Sequence, residues 1–362
     1  MSAVWGRAEQ QDFRSRVRGC LLGGAIGDAL GAGAQRAQPR DEPVPGAVAA
    51  PGSVAAPGSV TWATQLTLFT VDGLIRAQVR RDTGQWHPPT DVHRAHRRWF
   101  ATQRDWGPDE RRADNGWLAM QEWLYARRDP PRPLLLGLGD EVMGTRETPK
   151  NPRAHDAGAV LRSAPFGLLV GWEPDLVGLL AGECAVHTHG DPAACLSASA
   201  YAVIVHGLVR GAPLAAAVQG ALAVLEPEPG HEPVARALGE ALGSVRLGAP
   251  DAERVASLGA AGGAQDALAA AVYCALVAED VRHGLSLATA GPTAASAPSL
   301  CGALLGAWHG ETALPPAWLA ELEGRATILE LADDFAMELT QPQALHGEGT
   351  RADAWLRRYP CA

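Results

Sequence analysis

Apolar residues recur along this chain at intervals of three and four. In the stretch 17–31, Leu22, Ile26 and Leu30 form one helical stripe and Leu21, Ala25 and Ala29 the next. Small residues lie between them, which predicts a buried helix in close contact with a neighbour. Residues 61–79 begin with threonines and continue with Leu66, Phe69, Gly73 and Ala77 on one face, the pattern of a capped helix following a loop. Trp99, Phe100, Trp106 and Trp117 mark a second aromatic-bearing stretch, expected to be core. A polar stretch at 144–158 reads as a loop, and 173–210 as a long helical region. Further helices are expected over 214–245, broken at the Pro-rich 226–230, and over Asp266–Glu279, where Leu268, Val272 and Leu276 keep the spacing. The last clear helix is expected to begin near Pro298.

No sustained alternation of apolar and polar residues is found, so the fold class is all-α, a compact multi-helix bundle in one large domain. That domain is expected to span 17–345, with a tail at 1–16 and an extension at 346–362. Residues 36–60, rich in Pro, Gly and Ala and carrying a direct repeat of Ala-Ala-Pro-Gly-Ser-Val, are expected to form a mobile loop.

Composition narrows the function classes. Forty acidic residues against thirty-one basic ones give a net charge of -9, which argues against a nucleic-acid backbone partner. The local cluster Arg94, Arg97 and Arg98 reads as a solvated helix face. No run reads as long and apolar enough to span a membrane, and the first residues lack an apolar signal core, so a cytoplasmic protein with no membrane partner is expected. Six scattered cysteines with no Cys-x-x-Cys pair fit free buried thiols better than a disulfide framework or a zinc site.

Three segments carry a family resemblance: Val17–Gly31 (VRGCLLGGAIGDALG), Thr61–Ala77 (TWATQLTLFTVDGLIRA) and Ala295–Gly310 (ASAPSLCGALLGAWHG). They resemble the signature segments of the ADP-ribosylglycohydrolases, and 158–167, 188–192 and 267–280 resemble that family's intervening pieces. The resemblance runs roughly from residue 17 to 336 and implies a compact all-α fold. It also implies a pair of magnesium or manganese ions held by aspartates at two of these segments. Here the first aspartate motif matches Thr61-Trp62-Ala63-Thr64-Gln65, and the second pair of positions falls on Thr293 and Ala295, followed by Ser296. The glutamate that the family places after the first signature matches Gln35. No Asp or Glu occurs from Arg282 to His309.

Those replacements lead us to expect no metal pair and no other cofactor, because hard divalent cations draw most of their binding energy from carboxylate oxygens. Gln35 cannot ionise and cannot serve as a general base. The expected protein is a catalytically silent relative whose cleft is lined by Asp28, Gln35, Thr61, Trp62, Ala63, Gly158, Thr293, Ala295 and Ser296. Its expected partner is ADP-ribose, an ADP-ribosylated protein or a related small ligand. Two alternatives stand beside it: an interaction module with a closed cleft, and a hydrolase using metal-independent chemistry at Asp28, His155 or Asp156.

Several of these residues also have a plainer reading. Asp28 reads more readily as a hydrogen-bonder at a helix end, and Trp62 as packing. Gly158 and Arg162 read as a structural turn and a helix-side ion pair. Asp156, at a position where the family has glycine, would repel a diphosphate. His187 and His189 read as hydrogen-bonded structural histidines and not metal ligands. Asp333 and Asp334 read as a solvated helix face, and Asp41 and Glu42 as loop carboxylates that could fold back towards the cleft.

Overall fold

The computed structural model describes residues 5–37, 58–81, 86–109, 111 and 116–360; Asp41, Glu42, Cys361 and most of the expected loop lie outside them. The helices are α1 (Arg7–Ala37), α2 (Trp62–Arg81), α3 (Pro88–Thr102), α4 (Arg132–Gly139), α5 (Ala164–Gly167), α6 (Pro174–Ala185), α7 (Pro192–Val209), α8 (Leu214–Leu225) and α9 (Glu232–Ser244). They continue with α10 (Ala252–Leu258), α11 (Ala264–Val277), α12 (Val281–Ala288), α13 (Ala297–His309), α14 (Pro316–Glu321), α15 (Arg325–Thr340), α16 (Pro342–Leu345) and α17 (Thr350–Arg358). No strand occurs among the described residues, so the all-α class holds.

The central pair is α1 against α13. Small residues let their backbones touch: a Cβ on Gly19, Gly23 or Gly27 would fall on the carbonyl oxygens of Gly306, Gly302 and Pro298. A Cβ on Gly302 or Gly306 would strike Gly23 and Gly19 in return. Arg16 closes one end by donating from Nη1 to the carbonyls of Trp308 (2.8 Å) and Leu208 (3.1 Å). α1 begins at Arg7, inside the stretch expected as a tail, because Phe13 finds a buried seat and Arg14 and Arg18 both pair with Asp333 on α15.

α7 packs against α5, α6, α8, α11 and α13. By length and composition it could cross a membrane, contrary to the sequence expectation, yet 78% of it is buried inside the protein. A helix that is apolar all round belongs at the centre of a helical layer. Its start is fixed by Asp191, which accepts from the amides of Ala193 (3.0 Å) and Ala194 (3.2 Å). Cys20, Cys184, Cys274 and Cys301 are free and buried, and Cys195 is free and partly buried.

α2 and α3 form a hairpin whose polar interior the sequence did not reveal. Arg98 is not on a solvated face; it pairs with the fully buried Asp72, which Arg76 also approaches at 3.0 Å. Trp99 is core, but Trp106 is 98% exposed, because it lies on the loop after α3 and not on the helical stripe. The C-terminal extension docks on α15. Asp334 is buried and accepts from Arg358 Nε (2.5 Å) and the Tyr359 hydroxyl (2.6 Å), so it is not solvated. Trp355 Nε1 donates to buried Glu338 at 2.9 Å, and Arg358 stacks 3.7 Å above the Trp117 ring.

Candidate functional site

α1 supplies one wall of the site. Asp28, buried near its C-terminal end, accepts four hydrogen bonds from the first turn of α2: Thr61 N (2.8 Å), Thr61 Oγ1 (2.7 Å), Thr64 N (3.3 Å) and Thr64 Oγ1 (2.6 Å). Thr61 Oγ1 in turn accepts from Ala63 N at 3.1 Å. Asp28 therefore caps α2 from another helix, satisfying amides that a helix start leaves without partners. Burial raises its pKa, and the hydroxyl and amide donors oppose that rise. Thr64 was not among the residues singled out from sequence. Only its spacing of three from Thr61, at a helix start, hinted at a paired role.

Ala63 is buried, Trp62 is partly buried and packs on the core, and Thr61 is partly exposed. Gln35 lies seven residues beyond Asp28, two turns along the same face of α1, and is exposed. The lead-in to α2 is pinned by Glu323, whose carboxylate accepts from Val60 N (3.1 Å) and Arg128 Nη2 (2.5 Å).

The segment before α13 meets the same wall. A Cβ on Gly31 would stand 2.7 Å from the Ala294 carbonyl and 3.3 Å from that of Ala295. The Thr293 carbonyl accepts from Ser296 N (2.9 Å) and Ala297 N (2.8 Å), which turns the chain into α13. Ala295 is exposed and Ser296 partly so, but Thr293 is buried, its hydroxyl against Gly259 and without a hydrogen-bond partner among the described residues. The three positions thus flank α1, with the Thr293 hydroxyl packed against the α10 end.

A third segment abuts α2, where Thr67 Oγ1 reaches the Leu161 carbonyl at 3.2 Å. Asp156 Oδ1 accepts from Gly158 N (2.9 Å) and lies 3.0 Å from His189 Nε2. His189 Nδ1 is 2.8 Å from Thr188 Oγ1, which accepts from Arg162 Nη2 at 2.7 Å. With Nε2–H directed at the carboxylate, Nδ1 is the acceptor and the Thr188 proton goes to it. The donors run in one direction, from Arg162 through Thr188 and His189 to Asp156. Burial alone would raise the Asp156 pKa, but His189 and the Gly158 amide outweigh it and the net shift is downward. Burial lowers that of His189 against the pull of Asp156.

This arrangement changes three expectations. Asp156 directs one oxygen inward to the turn and the imidazole, so its charge is not simply aimed at a ligand. Gly158 is required by contact, since a Cβ there would stand 2.7 Å from the His189 ring. Among the described residues Arg162 makes no ion pair: it is buried and donates to the Gly158 carbonyl (2.9 Å), the Cys184 carbonyl (3.2 Å) and Thr188, and burial lowers its pKa to about 10. His187 differs from His189. It is fully buried, and among the described residues neither of its ring nitrogens has a partner.

Carboxylates are sparse at these segments. Among the described residues no group of three or more His, Cys, Asp or Glu side chains is arranged to hold a metal ion.

The sequence signature of the ADP-ribosylglycohydrolases matches residues 9–345, and the chain belongs to that family. A solved structure described as an ADP-ribosylglycohydrolase-related protein complex shares the fold: it is 24% identical, with a TM-score of 0.59 over 91% of this chain and 100% of its own. No curated protein matches the chain.

Proposed function

We propose that this chain is a non-hydrolytic member of its family that binds an ADP-ribosyl group, free or protein-linked, without a metal ion. The carrying observation is the donor set where α1 meets α2. Thr61, Trp62 and Ala63 offer a hydroxyl, an indole and a methyl group, and both oxygens of Asp28 are already engaged by Thr61 and Thr64. Two adjacent divalent cations need several anionic oxygens to offset their mutual repulsion. Asp28 could ligate one only by giving up the cap of α2, so the residues present do not fit the family's magnesium or manganese pair. Without that pair, Gln35 supplies no base to activate water. The wall itself remains, with Gln35 and Trp62 still partly or fully exposed to a ligand.

The competing reading is an interaction module. It is favoured by the amides of Thr61, Ala63 and Thr64, which are consumed internally and do not offer the start of α2 to a phosphate.

Calorimetric titration of ADP-ribose into the protein, once with manganese and once with EDTA, separates these readings. Equal affinity in both buffers is the expected result, together with no release of ADP-ribose from an ADP-ribosylated protein. Binding that requires manganese, or turnover in either buffer, refutes the proposal. No binding in either buffer transfers the assignment to the interaction module.

A further inference from the structure

A cluster of imidazoles lies beneath the third segment of the site. His93 and His96 are three apart on α3 and face His187 in the corner between α6 and α7. The His93 and His187 ring centroids are 5.1 Å apart and those of His96 and His187 6.2 Å, both pairs edge to face. All three residues are buried. Among the described residues, His93 Nε2, His96 Nδ1 and both nitrogens of His187 have no hydrogen-bond partner. Thr70 Oγ1 donates to the Leu66 carbonyl (3.1 Å), so His96 Nε2, 2.9 Å away, is the donor to it. The nitrogens do not converge as ligands of one ion.

Most of the charges around the cluster disfavour a proton on it; Asp140 is the exception, favouring one on His93. α3 brings Arg94, Arg97 and Arg98, with His87 at its start; the segment after α4 brings Lys150; the turn Val160–Arg162 brings buried Arg162. The anions on the same elements are committed elsewhere. Asp72 on α2 holds Arg76 and Arg98, Asp91 on α3 holds Arg80 and Arg94, Asp140 holds Lys150, and Asp156 holds His189. Glu183 on α6, one turn before His187, is only partly buried and can remain in water.

We propose that the His93–His96–His187 cluster is an acid-operated latch, whose protonation parts α3 from the α6–α7 corner and frees the Asp156–Gly158 turn. The link to the site is covalent: Thr188 and His189, which hold Arg162 and Asp156, follow His187 directly. A buried imidazolium needs acceptors on both ring nitrogens or a counter-charge. Among the described residues the closed corner gives His96 Nδ1 and both His187 nitrogens no acceptor, and Asp140, the anion that favours a proton on His93, is held by Lys150. Burial, followed by neighbouring Arg97 and Lys150, pushes His93 down to about 4, and burial holds His96 and His187 well below the ordinary histidine value. The opened corner therefore binds protons that the closed one does not. The closed form is fully favoured above about pH 6.5 and loses ground as pH falls from there towards 4. The latch does not depend on whether the site hydrolyses its ligand.

Amide hydrogen exchange by mass spectrometry on the full chain tests it, at pH 7.5 and 5.0 and corrected for the intrinsic pH dependence of exchange. Peptides covering 88–102 and 182–192 are expected to lose at least about tenfold in protection at pH 5.0 while 19–30 and 297–309 hold theirs. His187→Phe, which keeps the ring but not its nitrogens, is expected to remove most of that loss. Unchanged protection at 88–102 and 182–192 overturns the latch, as does an equal loss in 19–30 and 297–309. Should the variant not fold, the wild-type exchange pattern decides. An imidazole titration that places His187 at pH 6 or above also overturns the latch.

Discussion

Asp28 shows how one side chain can be bound to the architecture more tightly than to chemistry. It is an acceptor only, and it faces four donors from Thr61 and Thr64. Asp28→Asn would turn an amide NH2 towards at least one of those donors. The expected loss is about 2–3 kcal/mol, since a buried donor left unmade costs about 1–3 kcal/mol. Urea denaturation checks it, and a midpoint within error of wild type would show that the cap contributes little. Asp156 acts similarly on a smaller scale, fixing the turn at Gly158 and the tautomer of His189 together.

At the scale of the helices, glycine has two opposite roles here. Gly306 lies against the Gly19 backbone, and Gly306→Ala must push α13 off α1, at an expected cost of about 2–3 kcal/mol. Gly239, exposed on α9 with nothing near its missing Cβ, should respond in the other direction. Gly239→Ala is expected to gain about 0.5–1 kcal/mol from helix propensity. Thermal unfolding of the two variants side by side tests the contrast.

The periodicity of apolar residues made the helices and the class legible, and the stretches around 17–31, 61–79, 266–279 and 298–310 became α1, α2, α11 and α13. What remained hidden depends on partners distant in sequence. Asp28 and Thr61 are 33 residues apart, and Asp334 meets Arg358 and Tyr359 across 24 and 25. Periodicity says which face is buried but not which polar groups are buried with it. For the same reason Arg98 read as solvated although it reaches Asp72, and His187 read as hydrogen-bonded although its nitrogens lack partners among the described residues. At the candidate site, the segments around 61 and 295 that the sequence pointed to both meet one helix, at Asp28 and Gly31. It could not show that Thr293 is buried against Gly259.

Across the whole molecule, the last helix behaves as part of the body. Ending the chain after Leu345 would strip Asp334 of Arg358 and Tyr359 and Glu338 of Trp355 and His346, leaving two buried carboxylates uncompensated. Breaking buried pairs of this kind costs about 3–5 kcal/mol, so the truncated chain is expected to melt well below the full one or to aggregate. A truncated chain that melts with the full one would show instead that α17 is an independent appendage.

The α1–α13 contact also sets a timetable. The strip of small residues on α1 leaves the ribosome long before the surface that covers it, which ends at His309. At about 5–20 residues per second, that helix waits uncovered for tens of seconds. The nascent protein therefore carries an unpartnered, closely packing face until α13 has been made, and a chaperone that shields such a helical face would find its substrate there.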